Sequence, residues 1–585
     1  MGARTKVDDA TVSTIWHAMQ SICREMRHTV ELTAQSSVIA QLHDLSVGIF
    51  DASAQALAIP VGIPVHHLGT EFAIKDIASK FKDNLKPGDV FLTNDPYHGG
   101  HNCHLPDWGF IKPIFYKDEL LFWTLVRGHQ QDSGGSYPGG YFPGGYDIHA
   151  EGICIPPIKV FDGGKEQTPI FELIWNNVRF PEEIRQDNYA MIASTKICEK
   201  RLIELLDKYG KATTLECVDE MLSRTEKAVR AEIKKIPSGK YYGEAATDDD
   251  GTILDEPVWV RCDLEVKGDE IFIDFSRSDA QRQGFINSIY ASTYANAIAA
   301  VILTLDPAIV DFHNQGSMKP IHVTIKPGTW VSAQYPACVG GSPVQAGVPT
   351  IESVLIALAQ ACPERAIAAA GRNRTDRNFG LDPRTGKNYV RLCFGSTGSL
   401  GAVNGYDGYS GTFGLQGRGV LHRADIEEDE IRFPWLVLQY EFAPDLMGAG
   451  KWRGGFGIHW KAINKGVVAG FLTGNSDGDA TQGHGVLGGQ PTFYNRTYIR
   501  RGNEEIRVKS HRLFWLQPGD IEIKLASGGG GVGNPAERDP NKVLEDVRNE
   551  VVSLEVARDI YKVEINPKTM KIDREKTEKL RAGHV

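Results

Sequence analysis

The 585-residue sequence lacks several features that mark whole classes of protein. It has no C-x-x-C pair, and its nine cysteines are widely spaced, which argues against a disulfide framework or a four-cysteine zinc site and fits reduced thiols. Basic residues are scattered through a chain with a net charge of −10 and a pI of about 6.0. Nothing in this pattern indicates a nucleic-acid surface or a polybasic membrane patch.

Signals for secretion and for membrane insertion are also missing. The first twenty residues become amphipathic within about ten residues and hold no apolar run followed by a cleavage site. No run reaches the roughly 18–20 apolar residues of a membrane span, and the most apolar stretch, residues 295–305, is interrupted by Asn296 and Thr304. We therefore expect a cytoplasmic protein with no membrane and no nucleic acid among its partners.

The chain has 62 glycines but no credible phosphate loop or nucleophile elbow. The segment G-A-G-K-W at 448–452 lacks the first glycine and the terminal hydroxyl of a phosphate loop. Two G-x-G-x-x-G matches, at 483–488 and 528–533, run into prolines and not into a helix that would receive phosphate. The G-x-S-x-G match at 474–478 precedes a poor helix start. We expect neither a nucleotide site nor a serine nucleophile in this chain.

The hydrophobic patterns predict an α+β, multidomain fold with a helix-containing N-terminal α/β part and a β-rich, glycine-rich C-terminal half. Helices are predicted at 10–34, 71–83, 181–209, 213–235, 287–304, 348–361 and 540–561. Strands are predicted at 46–50, 57–59, 90–92, 108–115, 120–126, 241–247, 257–267, 270–275, within 319–334, and repeatedly from 388 to 526. The predicted domains are an N-terminal α/β domain with the metal site (1–240), a mixed α/β domain (241–385), a β-rich domain (386–538) and a helical tail (539–585).

The most polar loop of the chain follows the strand predicted at 90–92. It reads T-N-D-P-Y-H-G-G-H-N-C-H-L-P-D-W at 93–108, and a second cluster, R-G-H-Q-Q-D-S-G-G, occupies 127–135 at the end of a neighbouring strand. His104 and Asp107 are three residues apart, and the hairpin brings His129 towards them. Imidazole and carboxylate ligands with open positions suit Zn, Mn or Fe(II). The spacing predicts a metal or catalytic site; the alternative is that these side chains only cap turns.

Other polar residues near these clusters carry weaker signals. His98 and His101 either contact substrate or stabilise the loop, and both are catalytic candidates. Asp44 begins a strand and is a candidate fourth ligand. His66 and His67, in P-V-H-H-L-G, are interpreted as structural.

An ordered series of motifs resembles a known family. The motifs are N-D-P-Y-x-G-G-x-x-x-H-L-P-D at 94–107, R-G-H-x-x-D-x-G-G at 127–135, E-G-I-x-I-P-P at 151–157, N-N-V-R at 176–179, G-A-G-K-W-R-G-G at 448–455, G-G-G-G-V-G-N-P-A-E-R-D-P at 528–540 and V-L-E-D-V-R at 543–548. Through nearly its whole length the chain resembles the B-type subunit of the ATP-dependent hydantoinase and oxoprolinase family. That family also contains one large subunit of the acetone and acetophenone carboxylases.

The resemblance implies a divalent metal, Zn or Mn, held by His104, Asp107 and His129, with Asp44 as a looser further ligand. It places Asp132 where a carboxylate would orient an imidazole. Asp132 therefore joins His98 and His101 as a catalytic candidate, and His149 and Glu151 are further candidates for the general base by their proximity in sequence. The family resemblance also accounts for the missing phosphate loop, because an A-type ATPase partner would bind ATP and Mg and phosphorylate a carbonyl or enolate oxygen. The present chain would then finish the reaction within a hetero-oligomer.

Two reactions share this machinery. In one, a ketone is trapped as an enol phosphate and carboxylated with bicarbonate or CO2, in some complexes with a small additional subunit. In the other, a hydantoin, oxoproline or lactam is phosphorylated and its ring is opened by water. Four aromatic side chains in the loop at 136–152 predict an apolar or aryl substrate site, unless they only pack the loop: Tyr137, Tyr141, Phe142 and Tyr146. They favour an acetophenone- or acetone-type carboxylase, whereas the chain length is closer to that of hydantoinase subunits. A non-catalytic scaffold that only binds the ATPase is the third hypothesis.

Overall fold

A seven-stranded antiparallel sheet organises the N-terminal part of the chain. The computed structural model in which it is seen describes residues 7–583 apart from 61, 311, 395, 413 and 418–420. In chain order the strands are β1 Leu45–Asp51, β2 Ala56–Ala58, β3 Val90–Thr93, β4 Asp107–Tyr116, β5 Glu119–His129, β6 Ile158–Asp162 and β7 Lys165–Glu166. They are arranged β2-β1-β5-β4-β3-β6-β7. The two longest strands, β4 and β5, therefore lie side by side near the middle, with β1 and β3 on their outer edges.

Long helices cover one face of this sheet. They span Asp9–Thr33, Pro181–Tyr209 and Lys211–Ile233. The first begins where the Asp8 side chain accepts a hydrogen bond from the backbone N–H of Thr11, at 3.0 Å. Its buried residues recur every three or four positions, at Val12, Ile15, Met19, Ile22, Met26 and Val30. This spacing makes one apolar stripe, which packs against the sheet.

The opposite face of the sheet packs against a second layer. A four-stranded sheet contains Gly239–Thr247, Val258–Lys267, Glu270–Asp274 and Ile321–Thr324. Two buried helices, Tyr290–Thr304 and Gly347–Ala361, share one continuous apolar core with both sheets. The shorter helices of the chain are Ser37–Ala40, Pro64–His67, Thr70–Lys80, Thr168–Trp175, Pro307–Val310, Gln315–Met318 and Ile426–Arg432.

One stretch of helix in the described part of the chain, Ser342–Ala361, is long and apolar enough to cross a membrane. In the structure, 83% of its apolar window is buried inside the molecule, where it packs against the second sheet. Its composition is accounted for by its place in the core.

The C-terminal half is built mainly of two antiparallel sheets. The first contains Lys387–Cys393, Asp376–Asp382, Ala469–Leu472 and Leu513–Leu516, in that spatial order. The second contains Trp435–Ala443, Gly457–Asn464, Ile521–Ala526, Arg496–Arg501 and Glu504–Arg507. The tail adds helices Pro540–Arg548, Leu554–Asp559 and Arg574–Ala582 and a small hairpin, Ile565–Asn566 with Lys571–Ile572.

The predicted α+β class is confirmed, and most predicted helices agree within a few residues, but two elements differ. The tail was expected to form one helix over 540–561. It forms two, because Glu550 has a φ of +59° and the chain restarts at Ser553, whose side chain caps the second helix. Of the β structure expected within 319–334, only Ile321–Thr324 is a strand. The domain division stays a prediction; its cut at 385–386 falls in a turn between two paired strands.

Close packing between the second sheet and helix Gly347–Ala361 generates a testable prediction. A Cβ on Gly243 would lie 2.0 Å from the backbone oxygen of Ser353. We expect Gly243→Ala to lower the free energy of unfolding by about 1–3 kcal/mol, because the strand or the helix must move. Gly239→Ala, in the same strand, meets only the flexible end of Tyr241 at 3.1 Å and is the matched control. Equal denaturant midpoints for the two variants would refute the packing argument.

Candidate metal centre

Strand register creates the centre of the site. β4 begins at Asp107, β5 ends at His129, and these two residues are direct cross-strand partners. The loop before β4 is fixed by amides: Asn94 Nδ2 donates to the Leu105 carbonyl at 2.8 Å, and Asn102 Nδ2 donates to the His104 carbonyl at 2.8 Å. His104 is thereby held over the start of β4.

The three residues predicted as metal ligands converge in the structure. Asp107 Oδ1 lies 2.9 Å from His104 Nε2 and 2.9 Å from His129 Nδ1. One possible ligand atom from each residue lies within 4.8 Å of the other two. All three side chains are buried. The arrangement has the ligand types and closeness of a divalent metal site, although the metal role itself stays a prediction.

The donor chemistry around His104 fits a bound cation. His104 Nδ1 lies 2.9 Å from the Gly340 carbonyl oxygen, which can only accept, so this nitrogen carries the proton. In a neutral imidazole Nε2 then has only a lone pair, yet it lies 2.9 Å from Asp107 Oδ1. The Nε2 lone pair and the Asp107 oxygen would repel each other at this distance unless a positive charge lay between them. Either a second proton on the His104 ring or a metal ion supplies that charge.

Asp107 is kept ionised in spite of complete burial. Burial alone would raise its pKa, but the His104 and His66 imidazoles outweigh it, and the pKa lies well below the ordinary value. For His129, burial lowers the pKa, against the opposing effect of its hydrogen bond to Asp107. A deprotonated carboxylate and a neutral imidazole are the forms that coordinate metals.

His66 lies in the site although the sequence indicated a structural role. Its Nε2 is 3.0 Å from Asp107 Oδ2 and 3.8 Å from Asp44 Oδ1, and its Nδ1 is 3.3 Å from Ser46 Oγ. The sequence shows two adjacent histidines in an otherwise apolar stretch, which hints at a functional role. No neighbouring residue indicates that His66 lies beside the start of β4. A second possible ligand group, overlapping the first, consists of His66, Cys103 and Asp107.

Asp44, predicted as a looser ligand, lines the same cavity but lies outside the group of three ligand atoms. Its backbone oxygen accepts a hydrogen bond from His129 N at 3.0 Å. Burial raises the pKa of its carboxyl, with the His129 and His66 imidazoles opposing.

A backbone support behind His104 comes from Glu151. Its two carboxylate oxygens accept hydrogen bonds from Val339 N at 2.9 Å and Gly340 N at 2.7 Å. The carbonyl oxygen of the same Gly340 accepts a hydrogen bond from His104 Nδ1. Burial raises the pKa of Glu151 to about 8, against the lowering effect of these backbone N–H groups.

The cavity beside the three ligand candidates has a volume of about 40 Å³, more than a single water molecule requires. Its polar wall consists of Asp44, His66, His104, Asp107, His129 and Asn475. The apolar wall consists of Ile63, Val65, Tyr141, Pro343, Val344, Phe394 and Leu421. Residues from both halves of the chain therefore enclose one space.

The three predicted catalytic residues lie elsewhere. His98 and His101 face outwards, paired with Asp95 at 2.8 Å and Asp76 at 2.9 Å, and the His98 side chain is 55% exposed. The described hydrogen bonds of Asp132 go to the backbone of Gly134 and Gly139 and to Arg179, so it supports the glycine loop and does not orient an imidazole. None of the three lines the cavity beside Asp107, and their catalytic role stays a prediction.

Only one of the four aromatic residues predicted to bind substrate reaches the cavity. Tyr141 lies edge-on to His104, with ring centroids 5.1 Å apart. Tyr137 packs against Phe142 with ring centroids 4.6 Å apart, and Tyr146 is 77% exposed. Of these four aromatic residues, only Tyr141 is therefore placed to contact a molecule in the cavity.

A third possible ligand group, Asp376, Cys393 and Glu522, is buried in the C-terminal half. Lys524 contacts Asp376 and lies 3.5 Å from both Cys393 Sγ and Glu522 Oε1. An ammonium group already supplies the positive charge there, so this cluster is not a second metal candidate.

The sequence profile of the hydantoinase B/oxoprolinase family matches residues 8–535. The chain belongs to this family. Among its relatives, the beta subunit of caprolactamase from Pseudomonas jessenii is 33% identical, with 99% of this chain and 100% of the relative aligned. The B subunit of a putative D-/L-hydantoinase from Pseudomonas sp. (strain NS671) is 29% identical, with 98% of each chain aligned.

Solved structures agree with the family assignment. The ATP-dependent caprolactamase from Pseudomonas jessenii has a TM-score of 0.90 at 30% identity, covering 99% of this chain and 100% of that one. The nucleotide-free structure of acetone carboxylase also has a TM-score of 0.90, at 20% identity, covering 98% of this chain and 83% of that one. At that identity the second likeness shows the fold alone. The predicted family and enzyme class are confirmed.

The geometry of the centre predicts which substitutions abolish metal binding. We expect His129→Ala and His104→Ala to lose the bound metal of the purified protein, because each removes one of three buried ligand groups. His98→Ala is the matched control, since its imidazole is 55% exposed and lies outside the possible ligand groups of the described residues. Metal content is measured by mass spectrometry after removal of loosely bound ions. Equal metal in His129→Ala and His98→Ala would contradict the assignment.

Proposed function

We propose that this chain is the metal-binding subunit of an ATP-dependent enzyme that opens the ring of a cyclic amide, such as a lactam or a hydantoin. The observation that carries the proposal is the buried group of His104, Asp107 and His129, set in a chain that aligns from end to end with one component of a caprolactamase. A cavity on one side of this group leaves room for a reacting oxygen.

The partner follows from what the sequence does not contain. Both relatives described above are named as single subunits of an enzyme. The glycine-rich segments of this chain match no phosphate loop. We propose that an A-type ATPase partner binds ATP and Mg, phosphorylates the amide oxygen and passes the activated ring to this chain in a cytoplasmic hetero-oligomer.

When bound, a divalent metal at His104, Asp107 and His129 would supply Lewis-acid stabilisation of negative charge on oxygen. The chain's own residues prepare the site. The Gly340 carbonyl fixes His104 with Nε2 towards Asp107. Asp44 has its carboxylate on the cavity wall and outside the group of ligand atoms, so we propose it as the acceptor of the proton from attacking water. The raised pKa of its carboxyl suits this role.

Hydrolysis is preferred to the carboxylation that the sequence favoured. That preference rested on four aromatic side chains, and only Tyr141 lines the cavity. The relatives with at least 29% identity described above are named for a caprolactam or a hydantoin reaction, whereas acetone carboxylase shares the fold at 20% identity. Carboxylation of a ketone remains the alternative outcome of the assay.

Substrate-dependent ATP consumption tests the proposal. The chain is purified with its A-type partner, and ADP release is measured with caprolactam, hydantoin or oxoproline, and separately with acetone or acetophenone plus bicarbonate. We expect ADP release and ring opening with at least one cyclic amide. Asp107→Asn should lower the rate by about 100-fold or more, because it removes the charge shared by the imidazoles. Asp76→Asn, which affects only the His101 pair on the surface, is the control.

Two results would contradict this proposal. ADP release only with a ketone and bicarbonate would assign carboxylation. Full cyclic-amide turnover by Asp107→Asn would show that the centre takes no part in the reaction.

A further inference from the structure

Among the arginines that the structure describes, six have almost completely buried side chains, each about 1% exposed. Four have a carboxylate partner: Arg372 with Glu352 at 2.8 Å, Arg374 with Asp479 at 2.8 Å, Arg391 with Asp429 at 2.6 Å, and Arg538 with Asp407 at 2.7 Å. The other two, Arg127 and Arg377, have no carboxylate oxygen within 4.0 Å among the residues that the structure describes. Both lie beside the candidate metal centre.

The Arg377 guanidinium contacts side chains that line the cavity. It lies over the Tyr141 ring, 3.8 Å from the centroid, and its Nη2 is 3.3 Å from His129 Nε2. Its Nη1 donates to Asn475 Oδ1 at 2.6 Å. Its Nε has no hydrogen-bond partner in the described part of the chain. Three residues that line the cavity therefore contact this guanidinium, and none of the three is a carboxylate.

The nearby carboxylates do not neutralise Arg377 directly. Asp107 Oδ1 is occupied by His104 and His129, and Oδ2 lies 3.0 Å from His66. Arg127 is held differently, because its Nη1 donates to the His66 carbonyl at 2.8 Å. An unpaired charge in a protein interior is costly, and buried charges are therefore normally paired with an opposite charge. At Arg377 no carboxylate within 4.0 Å fills this role in the described part of the chain, and the guanidinium contacts three residues of the cavity wall.

We propose that Arg377 binds a small oxyanion in this cavity, and that in the reaction the oxyanion is the phosphoryl group of the activated substrate. The identity of the anion rests on the proposed function; the anion site does not. A guanidinium presents paired N–H donors that match two oxygens of phosphate or carboxylate. The stacked Tyr141 ring and the Asn475 amide fix its plane, so the donors need no reorganisation when the anion arrives.

Calorimetric titration of the purified chain with inorganic phosphate, and separately with bicarbonate, tests the site without turnover. We expect saturable phosphate binding that is at least about tenfold weaker in Arg377→Gln and partly retained in Arg377→Lys, which keeps the charge but not the fork. Arg277→Gln, which removes an exposed guanidinium paired with Asp263, should bind as the unchanged chain does. If bicarbonate bound more tightly than phosphate, the ligand of Arg377 would be a carboxylate-type anion, and its assignment as a phosphoryl group would be wrong.

Thermal unfolding separates this role from a structural one. Arg377→Gln should retain the melting temperature, because it removes a buried charge that has no carboxylate partner. Arg391→Gln should lower it, because Asp429 then stays buried without its partner. A large decrease in the melting temperature of Arg377→Gln would show that Arg377 has a structural role, and it would overturn the inference.

The remaining outcomes are distinct from those of the proposed function. Phosphate binding that is absent from the unchanged chain, or equally strong in Arg377→Gln, would overturn the anion site while leaving cyclic-amide turnover unaffected. Arg377-dependent phosphate binding in a complex that turns over no cyclic amide would support the anion site and refute the proposed reaction.

Discussion

The Asp107 carboxylate is a buried negative charge, and the side chains around it offset that charge. One oxygen faces His104 and His129, and the other faces His66, with Cys103 Sγ at 2.8 Å from the same oxygen. A buried carboxylate is stable only if its neighbours carry protons or positive charge. Three imidazoles surround this one carboxylate, and a divalent cation bound among them would stabilise its negative charge.

This centre depends on parts of the chain that are far apart in sequence. β4 and β5 bring Asp107 opposite His129, and β1 carries the backbone next to Asp44. The second layer supplies the Gly340 carbonyl. The C-terminal half supplies Arg377 and Asn475. Because each part supplies one element of a single cavity, the predicted domain boundaries do not divide the function: the metal candidates and the candidate anion-binding residue come from different predicted domains.

The sequence was informative where chemistry is encoded over short distances. His104 and Asp107 are three residues apart before a strand, and the hairpin of β4 and β5 fixes His129 through register, which strand alternation allows one to predict. His98 and His101 have the same composition signal, yet they face outwards. His101 has a φ of +49°, and both imidazoles pair with aspartates that do not line the cavity. Residue types in a loop do not reveal which side of the loop each side chain occupies.

Long-range contacts account for what the sequence could not reveal. His66 reaches Asp107 across the sheet from a short helix, and Arg377 reaches His129 from a strand far along the chain, at a separation of 248 residues. Glu151 acts through the backbone of Gly340, a contact that no local motif signals. In the tail, the break between two helices depends on a residue with positive φ, which is uncommon for Glu550 and is not apparent from periodicity.

The central claim is that the shared Asp107 carboxylate holds a divalent metal together with two imidazoles. Anomalous X-ray diffraction from crystals of the purified protein, collected on both sides of the zinc and manganese absorption edges, tests it most directly. The account predicts an anomalous peak within coordination distance of His104 Nε2, an Asp107 oxygen and a His129 ring nitrogen. A fully occupied metal bound elsewhere, with this centre empty, would contradict it.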